Sequence, residues 1–199
     1  MKTARKRAHA LGHPIVIDPV GVSGSSYRRE KCLELMKIIH PTCIRGNYSE
    51  IQALLHNCGT VTGVDAAEDA LAEAEETDLP ELMKQYAKEN QMILVASGET
   101  DLITDGSCVY RCHNGSPMMA RITGSGCMST VMLGAFLSAE NSVESAVACC
   151  AFTGIAGELA AKEMTAQKRG TMTFRNWFID AVSLMTPEQL EHGTDVDWF

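Results

Sequence analysis

Arg121-Ile122-Thr123-Gly124-Ser125-Gly126-Cys127-Met128-Ser129-Thr130-Val131-Met132-Leu133-Gly134-Ala135 is the stretch on which the fold turns. The apolar run Met118 to Ile122 predicts a short strand leading into it. Gly124 and Gly126 punctuate a turn, and a helical pattern starts at Cys127. A glycine-rich turn that feeds a helix points backbone N–H groups outward at the positive end of the helix dipole. That arrangement suits phosphate or another anion. The same field favours the thiolate form of a cysteine, and Cys127 stands in it. An anion cradle beside a polarised thiol implies phosphoryl-transfer chemistry with a built-in base.

Strands and helices alternate on either side of this unit. Residues 2 to 11 read as the end of a helix closed by Gly12, and Ile15 to Asp18 as a short β-branched strand. Tyr27 to Ile39 is helical, Cys43 to Arg45 a strand, Gly46-Asn47 a turn and Ser49 to Leu55 a helix. Asp65 to Glu75 and Leu79 to Glu89, rich in Ala, Glu and Lys, are helical. Met92 to Ala96 is an apolar strand closed by Ser97-Gly98. Asp101–Thr104 and Cys108–Cys112 flank Asp105-Gly106, a hairpin signal. Helices then follow at Cys127–Ser138, Val143–Met164, Thr173–Met185 and Pro187–His192. The alternation predicts an α/β fold, one domain over residues 1–199, with a mostly parallel central sheet flanked by helices. Ligands bind beyond the C-terminal ends of such strands. Asp18, Arg45, Ser97 and the Gly124–Cys127 turn are all expected there.

Bulk properties narrow the field. A chain of 199 residues, 45% hydrophobic and 21% charged, suits a globular domain with a real core, or part of a larger one. A net charge of −8 argues against broad nucleic-acid binding. The basic start, Lys2 to Arg7, lacks a hydrophobic region behind it, so no signal peptide or membrane span is read. Several of the eight cysteines fall in apolar runs, and Cys108 and Cys112 have no second close pair to complete a zinc site. A reduced cytoplasmic protein is the expectation. The six histidines form no metal-type or triad-type cluster. No Gly-x-x-x-x-Gly-Lys-Ser/Thr run is present, and no Gly-x-Gly-x-x-Gly follows a strand, which removes Walker-type and dinucleotide-type binding.

Taken one at a time, the candidate residues have plain structural readings. Cys127 reads equally as a small buried hydrophobe, and Gly-x-Gly as a tight turn. Arg45 reads as a surface arginine, Ser97 as a cap, Asp18 as the cap of the following turn and Glu50 as a first-turn helix charge. Asp101 either holds its hairpin or lies near a ligand.

Five stretches in order supply what single residues do not. Asp18-Pro19-Val20-Gly21, Ile44-Arg45-Gly46-Asn47 with Glu50, Gly63-Val64-Asp65, Ser97-Gly98-Glu99 with Asp101, and Thr123 to Cys127 together resemble the hydroxyethylthiazole kinase family of the ribokinase-like superfamily. Gly170 to Ala181 and Leu184 to Leu190 resemble its C-terminal segment. The resemblance implies a ribokinase-like fold and phosphorylation of 4-methyl-5-(2-hydroxyethyl)thiazole by ATP and Mg2+ in thiamine salvage. It implies Cys127 as the base, Gly124 against the substrate, and Gly124, Ser125 and Gly126 as the anion hole for the moving phosphoryl group. It implies Arg45 and Ser97 on ATP, Ser97 standing where the family usually has threonine, and Asp18 and Glu50 near the magnesium. A homotrimer is the expected assembly.

The family's further strand and helix units, with a substrate-contacting methionine, precede the helix at residues 2–11. An N-terminally truncated member is therefore expected. The alternative function is an impaired member that keeps nucleotide binding or an assembly role. A thiol enzyme with Cys127 as nucleophile ranks last, because no histidine stands in a suggestive position.

Overall fold

The computed structural model describes residues 2–56 and 79–199. The expected helix Asp65–Glu75 and the Gly63-Val64-Asp65 motif lie outside the described residues. The described helices are α1 (Lys2–Leu11), α2 (Ser26–Ile39), α3 (Tyr48–Leu55), α4 (Leu79–Asn90), α5 (Ser125–Ala139), α6 (Val143–Ala166), α7 (Thr171–Leu184) and α8 (Pro187–Gly193). The described strands are β1 (Val16–Ile17), β2 (Cys43–Asn47), β3 (Ile93–Ser97), β4 (Asp101–Thr104), β5 (Val109–Cys112) and β6 (Val196–Trp198). These strands form one sheet in chain order, β1-β2-β3-β4-β5-β6. β1 and β2 run parallel, Val16 opposite Cys43, whereas β5 and β6 run antiparallel, Arg111 opposite Asp197. The sheet is therefore mixed, and β6 is an addition that three residues of Val-Asp-Trp did not announce.

By its contacts the chain divides into residues 1–96 with 104–109, and residues 97–103 with 110–199. In the first unit, local signals set the ends of the elements. Gly12 closes α1 at φ +67°, and His40 closes α2 at φ 49°. The Ser25 hydroxyl accepts the Arg28 N–H at 3.3 Å and starts α2. β2 runs through the expected Gly46-Asn47 turn and hands over directly to α3, because Asn47 is extended and serves as that helix's N-cap. The Thr104 hydroxyl donates to the Cys108 carbonyl at 2.6 Å and accepts the Gly106 N–H at 2.9 Å, closing the loop between β4 and β5 around Asp105-Gly106. Ile44, Ile51, Leu54, Met83, Leu94 and Val95 are buried in this unit's core.

The second unit is built on α5, α6 and α7. Phe174 and Phe178, one turn apart on α7, are fully buried with ring centroids 6.3 Å apart, and they pack with Ile122, Ala156 and Ala160. Burying each ring contributes about 1.5–3 kcal/mol. α6 is long and apolar enough to cross a membrane by length and composition, but 61% of its apolar window is buried inside the protein. It carries the small residues Gly154, Ala156, Gly157 and Ala160 where neighbouring segments come close.

One expectation is overturned here. Met118 to Ile122 is not a strand: Pro117–Arg121 forms a 3-10 helix. The Ser116 hydroxyl accepts the Met118 N–H at 3.3 Å, and Pro117 occupies the first helical position. A Ser-Pro start is a strong helical signal, and it outweighs an apolar run without strand alternation. Only Ile122, φ −111° and ψ 130°, is extended. The Gly124 turn therefore follows a helical turn rather than the end of a strand.

Candidate functional site

The first unit gathers three of the sequence-nominated positions. The chain leaves β1 at Ile17 and passes through Asp18, which is half-buried, to Gly21 at φ +75°. Glu50 lies 9% exposed in the first turn of α3 and clasps that loop. Its Oε1 accepts the Gly21 N–H at 2.7 Å and its Oε2 accepts the Asn47 N–H at 3.0 Å. The Asn47 side chain returns the bond by accepting the Glu50 N–H at 2.9 Å, a capping box. Gly46 lies tightly between them, since a Cβ there would be 3.2 Å from both Pro19 and the Glu50 Cβ. Pro19, Gly21, Gly46-Asn47 and Glu50 are thus one packed cluster, with Asp18 just before it in the chain. Arg45 is half-buried beside it, within β2 rather than past the strand's end.

Asp18 and Glu50 are the residues here that could hold a magnesium ion. Asp18 and Glu50 offer hard carboxylate oxygens, and magnesium needs one or two of these beside its waters and substrate phosphates. Each Glu50 oxygen accepts one backbone N–H, and a carboxylate has about four acceptor positions in all. Among the described residues, no three or more His, Cys, Asp or Glu side chains form a metal-holding group by themselves.

The second unit holds the other candidates. Ser97 is half-buried as the last residue of β3. The Asp101 carboxylate accepts the Gly98 N–H at 3.0 Å and so holds the turn that follows Ser97. Gly124 is the N-cap of α5 at φ +94°, a conformation that suits glycine, and it supplies no side-chain cap. Ser125 and Gly126 open the helix. Cys127, third in the helix, is exposed, which removes its reading as a small buried hydrophobe. Cys43, Cys112, Cys149 and Cys150 are buried instead, and burial pushes the Cys112 thiol up to about 12, so it stays neutral and inert. Cys127 thus combines exposure with a place at the electropositive end of a helix.

Two groups in this unit had no local sequence signal. Asn114, buried after β5, donates to the Gly193 carbonyl at 2.8 Å and accepts the Asp195 N–H at 2.8 Å. Asp197 on β6 accepts Arg111 Nε at 2.6 Å and lies 3.3 Å from His113 Nε2, whose Nδ1 meets the Thr100 hydroxyl at 3.3 Å. Arg111 holds the Asp197 carboxyl below its usual range. Both groups join residues about eighty positions apart, beyond the reach of any spacing argument.

The sequence profile of the hydroxyethylthiazole kinase family matches residues 1–188. The chain belongs to the hydroxyethylthiazole kinase family. It is 35% identical to the hydroxyethylthiazole kinase of Clostridium acetobutylicum, covering 96% of this chain and 71% of that one. It is 38% identical to hydroxyethylthiazole kinase 1 of Methanosphaera stadtmanae over 92% of this chain and 67% of that one. Its fold matches the structure of the hydroxyethylthiazole kinase protein from Pyrococcus horikoshii with a TM-score of 0.80 at 26% identity, covering 99% of this chain and 70% of that one. The fold is accordingly the ribokinase-like α/β architecture expected from the sequence, and membership of the hydroxyethylthiazole kinase family makes the chain an enzyme, a kinase.

Proposed function

We propose that this kinase transfers the γ-phosphoryl group of ATP to the hydroxyethyl oxygen of 4-methyl-5-(2-hydroxyethyl)thiazole, a step of thiamine salvage. The observation that carries the mechanism is Cys127, exposed in the first turn of α5, three residues after the glycine N-cap. The alcohol oxygen attacks the γ-phosphorus, its proton passes to Cys127 Sγ, and the bond from phosphorus to the ADP oxygen breaks. A base within reach of that proton is worth about 10²–10⁴ in rate. The backbone at Gly124, Ser125 and Gly126 holds the charge of the transferring group, the dominant kind of assistance in phosphoryl transfer. Gly124, without a side chain, also gives the substrate room to approach. The Arg45 guanidinium pairs with a phosphate and the Ser97 hydroxyl contacts the nucleotide. Asp18 and Glu50 hold Mg2+, which when bound neutralises negative charge on the phosphates. The working enzyme is a cytoplasmic homotrimer whose chain forms one catalytic domain.

The test is Cys127→Ala, assayed by ADP release together with the phosphorylated thiazole. The kcat falls by about 10²–10⁴, while the KM for ATP stays near that of the wild type. An unchanged kcat refutes the base role.

A further inference from the structure

We propose that the side chain of Ser125 is a positioning residue for phosphoryl transfer, fixing the Gly124 turn to the protein core. The proposal rests on the kinase reading above and adds a role for a hydroxyl that the reading does not use.

A serine at the start of a helix ordinarily sits at the N-cap and turns its oxygen forward onto a first-turn amide. Here the N-cap is Gly124, and the serine comes one residue later. Its hydroxyl turns backward. The Ser125 Oγ lies 2.9 Å from the Met119 carbonyl oxygen and 3.4 Å from that of Ile122. The hydroxyl therefore spends its proton on the preceding 3-10 turn and not on the helix's own opening.

That turn is itself anchored. Met119 packs so closely on α6 that a Cβ at Gly157 would lie 2.5 Å from Met119 Sδ. Met118 and Met119 pack against the buried cluster of Ile122, Ala156, Ala160, Phe174 and Phe178. A continuous path of contacts thus runs from α6 through Met119 and the Ser125 hydroxyl to the turn at Gly124. The helix side is braced as well: the buried Ser129 hydroxyl donates to the Ser125 carbonyl at 2.9 Å, and Thr130 donates to that of Gly126 at 3.1 Å. Gly124, at φ +94°, adds no side-chain restraint, and its carbonyl accepts the Met128 N–H at 2.9 Å. Without the Ser125 hydroxyl the turn keeps its covalent path and the burial of Ile122 but loses its hydrogen-bonded tie to the 3-10 turn. A cradle for a transferring group works only when its donors are already in place.

The experiment compares Ser125→Ala, Ser125→Cys and Ser125→Thr with the wild type for kcat and for both KM values. Ser138→Ala is the control, because it removes a hydroxyl-to-carbonyl bond of 2.7 Å at the far end of α5. We expect Ser125→Ala to lower kcat by about 10–100-fold, the scale of a small misplacement at a reacting centre. Both KM values change by less than about threefold, Ser125→Thr restores most of the rate, and Ser138→Ala matches the wild type. Ser125→Cys keeps the volume with a weaker donor and falls between, which also carries the test if Ser125→Ala does not fold. A wild-type kcat in Ser125→Ala or Ser125→Cys overturns the positioning role. So does an equal loss in Ser138→Ala, or a Ser125→Thr variant as slow as Ser125→Ala. A wild-type chain that cannot phosphorylate the thiazole alcohol overturns the kinase reading itself, and this proposal with it.

Discussion

Glu50 is the position where structure and chemistry can be separated by one measurement. Its carboxylate is buried and accepts the Gly21 N–H at 2.7 Å and the Asn47 N–H at 3.0 Å. Glu50→Gln keeps the shape but replaces one acceptor oxygen by an NH2 group. One of the two backbone donors then faces another donor. An orphaned buried donor costs about 1–3 kcal/mol, and the surviving bond loses its charge assistance, worth about 1 kcal/mol more. Relief from burying a charge offsets part of this. The expected net loss is about 2 kcal/mol, or roughly 4–8 °C in Tm for a chain of this size. The assay is thermal unfolding with neither magnesium nor nucleotide present, so that nothing bound contributes. The Gly21 amide proton should also move upfield as its charged acceptor is lost. A Tm equal to or above the wild type would refute the clasp.

Two further perturbations test other parts of the fold. Arg111, through its hydrogen bond, lowers the Asp197 carboxyl below its ordinary 3.8 against the opposing effect of desolvation, with His113 adding to the lowering. A depressed acid contributes stability that is complete above the unfolded value and lost as pH falls through the folded one. Wild-type Tm should therefore show an extra decline below about pH 4 that Asp197→Asn lacks, and matching Tm-versus-pH curves would exclude the linkage. Gly154→Ala would push a Cβ to 2.5 Å from the Asn114 carbonyl oxygen. Overpacking of this kind costs about 1–3 kcal/mol, read as a lower urea midpoint at unchanged m-value, whereas an unchanged midpoint would show that α6 can yield there.

Local signals carried the elements and not their connections. Val16-Ile17 and Ile93–Ala96 are β-branched or apolar and bounded by turn residues, so the strands were readable, as was the Asp105-Gly106 link between β4 and β5. The helix at Leu79–Asn90 is legible in its Ala, Glu and Lys content, whereas the caps at Ser25, Asn47 and Thr186 emerge only from the structure, Asn47 standing where a turn is expected. Pro117–Arg121 is apolar enough to read as a strand, but its Ser116-Pro117 start makes it helical. β6 escaped because three residues have too little pattern, and its pairing depends on Asp197 meeting Arg111 across the sheet. At the candidate site, residue types were readable because chemistry restricts them. The contacts that hold them were not: the bond from Gly21 to Glu50 spans 29 positions, and nothing in the spacing favours it over other pairings.

The Asn114 carboxamide has a consequence for how the protein is made. Its oxygen waits for an amide 81 positions downstream, at Asp195. At about 5–20 residues per second, a ribosome takes roughly 4–16 s to supply that partner. Through that interval β5 has one bare flank, a sticky ribbon on a nascent polypeptide. Slowing translation between these codons lengthens the time that ribbon is open to aggregation or to a chaperone.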